Sequence, residues 1–183
     1  MRSICVFCGS NPGNRPEYLQ LARTTGRLIA ERGLSLVYGG GKVGLMGAVA
    51  DAALSAGGRV VGIIPQMLLD REAGHPGLSE LRVVTTMAER KLMMGELSDA
   101  FLTLPGGIGT LDEMFEAWTW TQLDLHDKPC GLLNYRGYYD SLIQFLDLAV
   151  AEGFQRPRHR AALLVDSEAE ALLDRLQAAA RPG

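Results

Sequence analysis

Two glycine-rich segments and one basic dipeptide carry the residue types and spacings in this chain that could do chemistry. The first segment, Gly39-Gly40-Gly41-Lys42-Val43-Gly44, formally matches G-x-G-x-x-G, a pattern in which bare backbone lets a pyrophosphate approach a helix start. The rest of that fingerprint is missing, because the segment follows the second strand-like run and the next run ends Ile63-Ile64-Pro65 with no carboxylate for a ribose hydroxyl. A Walker A loop is excluded too: Lys42 is followed by Val43 rather than Ser or Thr, and the earlier glycine is absent. What remains is a tight turn, or a glycine-lined wall against which a ligand can lie.

The second segment runs Pro105-Gly106-Gly107-Ile108-Gly109-Thr110-Leu111-Asp112-Glu113. Its glycines bare backbone amides at the start of a helix, where unsatisfied N–H groups and the positive end of the helix dipole favour a phosphate, and Thr110 can add a hydroxyl. Thr110-x-x-Glu113 also fits a capping box, in which Glu113 would bond back to the Thr110 amide and do nothing else. Spacing alone leaves both readings open. Arg90 tips the balance. Thr86-Met87-Ala88-Glu89 is a further capping box that puts Arg90 and Lys91 in the first turn of their own helix, where a cation facing the positive dipole end costs roughly 0.3 to 1 kcal/mol. An anion should compensate, and a substrate phosphate or Glu113 would each serve. With the fourth and fifth strands taken as neighbours, the two helix starts share one rim of a sheet. A solvated surface pair is the alternative reading of Arg90-Lys91.

The elements that must position these residues are legible as an alternation. Ser3 to Cys8, Ser35 to Tyr38, Val60 to Ile64, Arg82 to Thr85, Ala100 to Leu104, Cys130 to Asn134 and a last short Ala162 to Val165 read as strands. Helices are expected over Pro16 to Glu31, Leu45 to Ala56, Met87 to Leu97, Leu111 to Leu123, Tyr138 to Glu152 and Glu168 to Ala179, the last opened by Ser167-x-x-Glu170. Arg156-Pro157-Arg158-His159 reads as a turn. Near-continuous apolar strands separated by helices predict a doubly wound α/β fold: a parallel sheet with helices on both faces. Ligands of such sheets sit at the carboxyl ends of the strands.

At 183 residues and 47% apolar, the chain is expected to form a single domain over 1–183. A formal net charge of -3 supplies no basic footprint for nucleic acid or an anionic membrane. No apolar run approaches a membrane span or a secretory signal core, so a cytoplasmic protein is expected. Cys5, Cys8 and Cys130 are an odd number, and the strand period sends Cys5 and Cys8 to opposite faces, so they read as small core residues rather than a redox or metal pair. His75, His126 and His159 have no ligand spacing to them or to each other, and no metal or other cofactor is expected.

Phe7-Cys8-Gly9-Ser10, Val37-Tyr38-Gly39-Gly40-Gly41, Gly44-Leu45-Met46-Gly47, Gly62-Ile63-Ile64-Pro65, Met87-Ala88-Glu89-Arg90-Lys91 and Pro105 to Glu113 resemble, in order and spacing, the LOG ("lonely guy") phosphoribohydrolases, once labelled lysine decarboxylases. The resemblance runs from Ile4 to about Leu173, and Ala88 stands where that family usually has a histidine. It implies a Rossmann-like domain that hydrolyses the N-glycosidic bond of AMP, or of an N6-modified adenosine 5'-monophosphate, to free base and ribose 5-phosphate. By the same resemblance Arg90 and Glu113 are catalytic, Lys91 and Gly107, Ile108, Gly109 and Thr110 hold phosphate and sugar, with Leu111 and Asp112 in the same substrate-binding stretch. Glu72 and Thr119 fall at further substrate contacts. The chemistry suits the residues, because glycosidic cleavage passes through an oxocarbenium-like state that a carboxylate can stabilise while it orients or deprotonates water. Glu116, one turn beyond Glu113, could form a carboxylate pair with it.

Met114, Phe115, Trp118, Trp120 and Leu123 make their helix apolar on many sides. It meets either the core or another subunit, and the resemblance implies a homodimer. Two rival functions stand beside the hydrolase: a broader nucleotide 5'-monophosphate nucleosidase, and a non-catalytic carrier of a nucleotide or molybdenum cofactor. A lysine decarboxylase is disfavoured, since no Schiff-base lysine with an acidic partner is apparent.

Overall fold

The computed structural model describes residues 1–72 and 74–180, and the backbone alone of Glu72. Its strands are β1 (Ser3–Phe7), β2 (Ser35–Tyr38), β3 (Val60–Pro65), β4 (Glu80–Val84), β5 (Phe101–Thr103), β6 (Cys130–Leu133) and β7 (Leu163–Asp166). Its helices are α1 (Pro16–Glu31), α2 (Gly44–Ser55), α3 (Gln66–Glu72), α4 (Met87–Glu96), α5 (Ile108–Gln122), α6 (Asp140–Ala151), α7 (Pro157–Ala161) and α8 (Ala169–Ala179). The strands form one all-parallel sheet in the order β4-β3-β2-β1-β5-β6-β7.

The period of two in the strands divides the core in half. Ile4, Val6 and Cys8 face the side covered by α1, α2 and α8, while Cys5 and Phe7 face the side covered by α4, α5 and α6. The cysteines are free and buried on opposite faces, as the alternation requires.

The expectation that β4 and β5 are neighbours is corrected. β4 is an edge strand and β5 pairs with β1, with β3, β2 and β1 between them. The physical reason is handedness: right-handed crossovers in one direction lay helices on one face only, so the chain must reverse to cover the other. The reversal falls between β1 and β5, and α4 carries the chain back. Smaller differences concern helix starts. α3 and α7 were not expected as helices, and α8 is capped at Glu168 without a side-chain bond, so the Ser167-x-x-Glu170 box does not form. Asp166 Oδ1 instead accepts the Glu168 N–H at 3.1 Å.

α1 and α2 pack so closely that Gly26 lies against the Val49 carbonyl, where a side-chain carbon would overlap the oxygen. Replacing Gly26 by alanine therefore sets two effects against each other. The helix gains at most about 1 kcal/mol of intrinsic propensity, whereas forcing the helices apart against a backbone oxygen costs about 2 to 3 kcal/mol, the upper part of the overpacking range. Gly26→Ala should lower the urea-unfolding free energy by about 1 to 2 kcal/mol; a neutral or stabilised variant would show that the two helices do not meet at this residue.

Candidate active site

Arg90 is placed by its own helix cap. Thr86 Oγ1 accepts the Glu89 N–H at 3.1 Å, and Glu89 Oε2 accepts the Thr86 N–H at 3.3 Å and the Thr85 N–H at 2.7 Å. That fixed start turns Arg90 inward, where its side chain is 8% exposed. Its Nε donates to the Ile63 carbonyl, in the carboxyl half of β3, at 3.1 Å and its Nη2 to the Gly39 carbonyl, just past β2, at 2.8 Å. A side-chain carbon at Gly39 would overlap Nη2, so this glycine is the berth of the guanidinium. The Gly39-to-Gly44 segment thus seats the guanidinium rather than lining the cavity beside it. Gly40 O accepts the His75 N–H at 3.0 Å and Gly41 bridges to Gly74, which ties the segment to the chain after α3.

Glu113 supplies the anion that a cation at a helix start requires. α5 begins at Ile108 with Gly107 as its N-cap and no side-chain cap. Thr110 is therefore inside the first turn, the Thr110-x-x-Glu113 capping box is absent, and the Glu113 carboxylate is released from the backbone. Its Oε1 lies 3.6 Å from Arg90 Nη1, and its side chain is 12% exposed. Burial pushes the carboxyl up to about 7, Arg90 pulls it down, and the nearby Asp112 pushes it up again. Burial wins because Arg90 spends its best hydrogen bonds on two carbonyls and meets Glu113 only as an ion pair. A carboxyl poised near neutrality can both give and take a proton.

These two side chains form the floor of a cavity of about 510 Å³, lined also by Cys8, Gly9, Ser10, Asn11, Pro12 and Gly13 after β1, by Tyr18, Leu45, Met46 and Leu68, and by Pro105 to Thr110 and Tyr138. It sits at the reversal between β1 and β5, as expected for doubly wound sheets. Of the residues anticipated from sequence, the fold brings together Arg90, Glu113, Gly107, Ile108, Gly109 and Thr110. Lys91 is one position round the helix from Arg90, and its Nζ is held by Asp112 at 3.1 Å and Glu116 at 2.7 Å, outside the lining of this cavity. Asp112 and Glu116 share that pairing, and Glu116 still lies close enough to Glu113 to raise its proton affinity. Leu111 packs in the core, and Thr119 is exposed on α5 outside the lining. Glu72 ends α3, and its side chain lies outside the described residues. Ser10, Asn11, Tyr18, Met46 and Tyr138 were missed as lining residues. The loop after β1 was findable by the carboxyl-end rule, whereas the tyrosines carry no motif. Met114 and Trp118 of α5 are buried in the core, and Trp118 Nε1 donates to the His159 carbonyl at 3.0 Å. Among the described residues no three His, Cys, Asp or Glu side chains converge as metal ligands, and no helix is long and apolar enough to cross a membrane.

Residues 46–176 match the family model described as possible lysine decarboxylase. The chain is 50% identical over 176 residues to a probable cytokinin riboside 5'-monophosphate phosphoribohydrolase of Oryza sativa subsp. japonica, covering 96% of this chain and 72% of that protein. It is 51% identical over 170 residues to a cytokinin riboside 5'-monophosphate phosphoribohydrolase of Rhodococcoides fascians, covering 92% and 86%. Among solved structures it is similar to the molybdenum cofactor binding protein of Rippkaea orientalis, with a TM-score of 0.74, 25% identity and coverage of 97% and 96%.

The raised Glu113 carboxyl has a measurable consequence for stability. Between its ordinary value of 4.5 and about 7 the folded protein holds a proton that the unfolded chain releases, so this group's contribution falls as pH rises through that window. Wild type should lose up to about 3 kcal/mol relative to Glu113→Gln between pH 4.5 and 7. Urea unfolding of both proteins across this range reads the difference, and parallel pH curves would contradict it.

Proposed function

The chain belongs to the LOG family, whose model carries the description possible lysine decarboxylase, and from that membership we propose that it hydrolyses the N-glycosidic bond of N6-modified adenosine 5'-monophosphates, or of AMP itself, to free base and ribose 5-phosphate. The observation that carries this reading is the buried Arg90–Glu113 pair at the floor of a cavity whose wall is an uncapped helix start. The first-turn amides of α5 and the Thr110 hydroxyl take the 5'-phosphate. Glu113 follows Thr110 by one helical turn, about 5 Å along the axis, the scale of a ribose between its phosphate and its anomeric carbon. There the carboxylate faces the developing oxocarbenium charge and takes a proton from the attacking water, whose hydroxyl bonds to the anomeric carbon as the purine leaves with the bond's electron pair. Arg90, locked by two backbone carbonyls, keeps Glu113 in place and favours its ionised form.

Other readings draw less support. A carrier would use the amides of α5 but has no need of a charged pair buried beside them, and no lysine lines the cavity to form the Schiff base of a decarboxylase. A broader nucleotide 5'-monophosphate nucleosidase shares every feature of the phosphate side and differs only in the bases accepted. We take the enzyme to need no cofactor and to work as a homodimer in the cytoplasm on a small-molecule nucleotide, not on nucleic acid or at a membrane. Leu92 on α4 and Leu123 and Leu125 at the end of α5, exposed by 52%, 59% and 68%, support a second copy on that side.

Pure protein incubated with AMP or N6-isopentenyladenosine monophosphate should release base and ribose 5-phosphate on a chromatogram, with adenosine cleaved at least about 100-fold more slowly because the phosphate supplies the binding energy. Glu113→Gln should lower kcat by about 100-fold or more while AMP still binds. Near-normal turnover in that variant would end the catalytic assignment and favour the carrier.

A further inference from the structure

The carbonyls of the β5–α5 loop are all engaged. Leu104 O accepts the Tyr139 hydroxyl at 2.8 Å, Pro105 O accepts the Gly9 N–H at 3.1 Å, Gly106 O accepts the Tyr138 hydroxyl at 2.8 Å, and Gly107 O accepts the Leu111 N–H at 3.1 Å. The N–H groups at the start of α5 behave oppositely, since the first turn has no carbonyl behind it and no side-chain cap. The loop thus presents donors and hides acceptors.

One peptide in it is free to spoil this arrangement. Gly106 must be glycine, because a side-chain carbon there would overlap the Thr110 hydroxyl, and Gly107 has open space around its α-carbon. A peptide flanked by two glycines can rotate its plane at little steric cost. Because C=O and N–H point in opposite directions across a trans peptide, such a flip would exchange the Gly107 donor for the Gly106 oxygen at the helix mouth. An anion there would then meet partial negative charge.

The only hydroxyl on Gly106 O among the described residues comes from a braced segment. Arg136 and Gly137 both adopt left-handed backbone, with φ of 52° and 72°, a conformation rare for an arginine. The turn is held by Arg136 to Glu17 at 2.8 Å, by Asn134 Oδ1 accepting the Tyr139 N–H at 2.7 Å, and by Asn134 Nδ2 donating to Asp140 at 2.7 Å. Tyr18 packs edge-on against Tyr138, with ring centroids 5.7 Å apart. We propose that Tyr138 is a positioning residue that locks the Gly106–Gly107 peptide in its anion-binding orientation. The proposal deepens the hydrolase reading and rests on it for the identity of the anion, a 5'-phosphate.

Tyr138→Phe removes only the hydroxyl and keeps the ring against Tyr18. It should raise KM for AMP about 5- to 10-fold with a much smaller change in kcat, and weaken calorimetric binding of ribose 5-phosphate by the same factor, while inhibition by free adenine stays unchanged. Adding Gly107→Ala should restore affinity, because the flipped peptide would need a positive φ at residue 107, which alanine resists. Unchanged ribose 5-phosphate affinity in Tyr138→Phe overturns the lock. So does a Tyr138→Phe change that weakens ribose 5-phosphate binding as much in a Gly107→Ala background as it does with Gly107 present, each compared with its own parent. Failure of wild type to cleave AMP, with ribose 5-phosphate binding still dependent on Tyr138, sinks the hydrolase reading and leaves the lock standing.

Discussion

A guanidinium buried at the positive end of its own helix is the constraint on which the site depends. Taking such a charge out of water carries a penalty of several kcal/mol, offset only when its donors are satisfied and an opposite charge is near. Arg90 meets both conditions with groups from four places: the Gly39 carbonyl just past β2, the Ile63 carbonyl in β3, the cap that begins α4, and the Glu113 carboxylate on α5. Each condition fixes something else. The Gly39 carbonyl can approach only because residue 39 has no side chain, and Glu113 can be spared for Arg90 only because α5 begins two residues ahead of Thr110 and needs no cap from it.

The sheet order makes that meeting possible. α4 follows an edge strand and α5 follows a central one, so their starts would be far apart if each helix simply covered its own strand. The return of the chain from β4 to β5 carries α4 beneath β3, and its first turn reaches the ends of β2 and β3. The loop after β1 closes the remaining side, with Leu104 N–H donating to the Phe7 carbonyl at 2.9 Å and Gly9 N–H to Pro105. One reversal therefore produces both the second helical layer and the cavity.

Much of this was legible in the residues. Apolar runs gave the parallel strands, the Thr86-to-Glu89 box gave the start of α4 to the residue, and a cation in a first turn announced that an anion must be near. Three things were not legible, each for a physical reason. Neighbouring strands cannot be read from local pattern, because every apolar parallel strand looks alike and only the crossovers choose its place. The start of α5 was misplaced because Thr110-x-x-Glu113 satisfies a capping pattern, while glycine can end an extended segment without any side-chain signal. The pairing of Lys91 was the third: it shares a motif with the adjacent Arg90, yet on a helix adjacent residues point about 100° apart, which brings Lys91 to Asp112 and Glu116.

The same geometry sets how charge must be managed when a phosphate arrives. Glu113 already sits near neutrality because burial outweighs Arg90, and a further dianion one helical turn away would push its proton affinity higher still. The carboxylate keeps its charge only if the phosphate is neutralised where it binds. The cavity offers no lysine for that purpose, and Arg90 is committed to carbonyls. The work falls to backbone amides and the dipole of α5, whose partial charges act over about one turn. An oxygen in place of an N–H at that mouth would both repel the anion and leave its field on Glu113. Binding and proton affinity are thus governed by the orientation of the same few peptides.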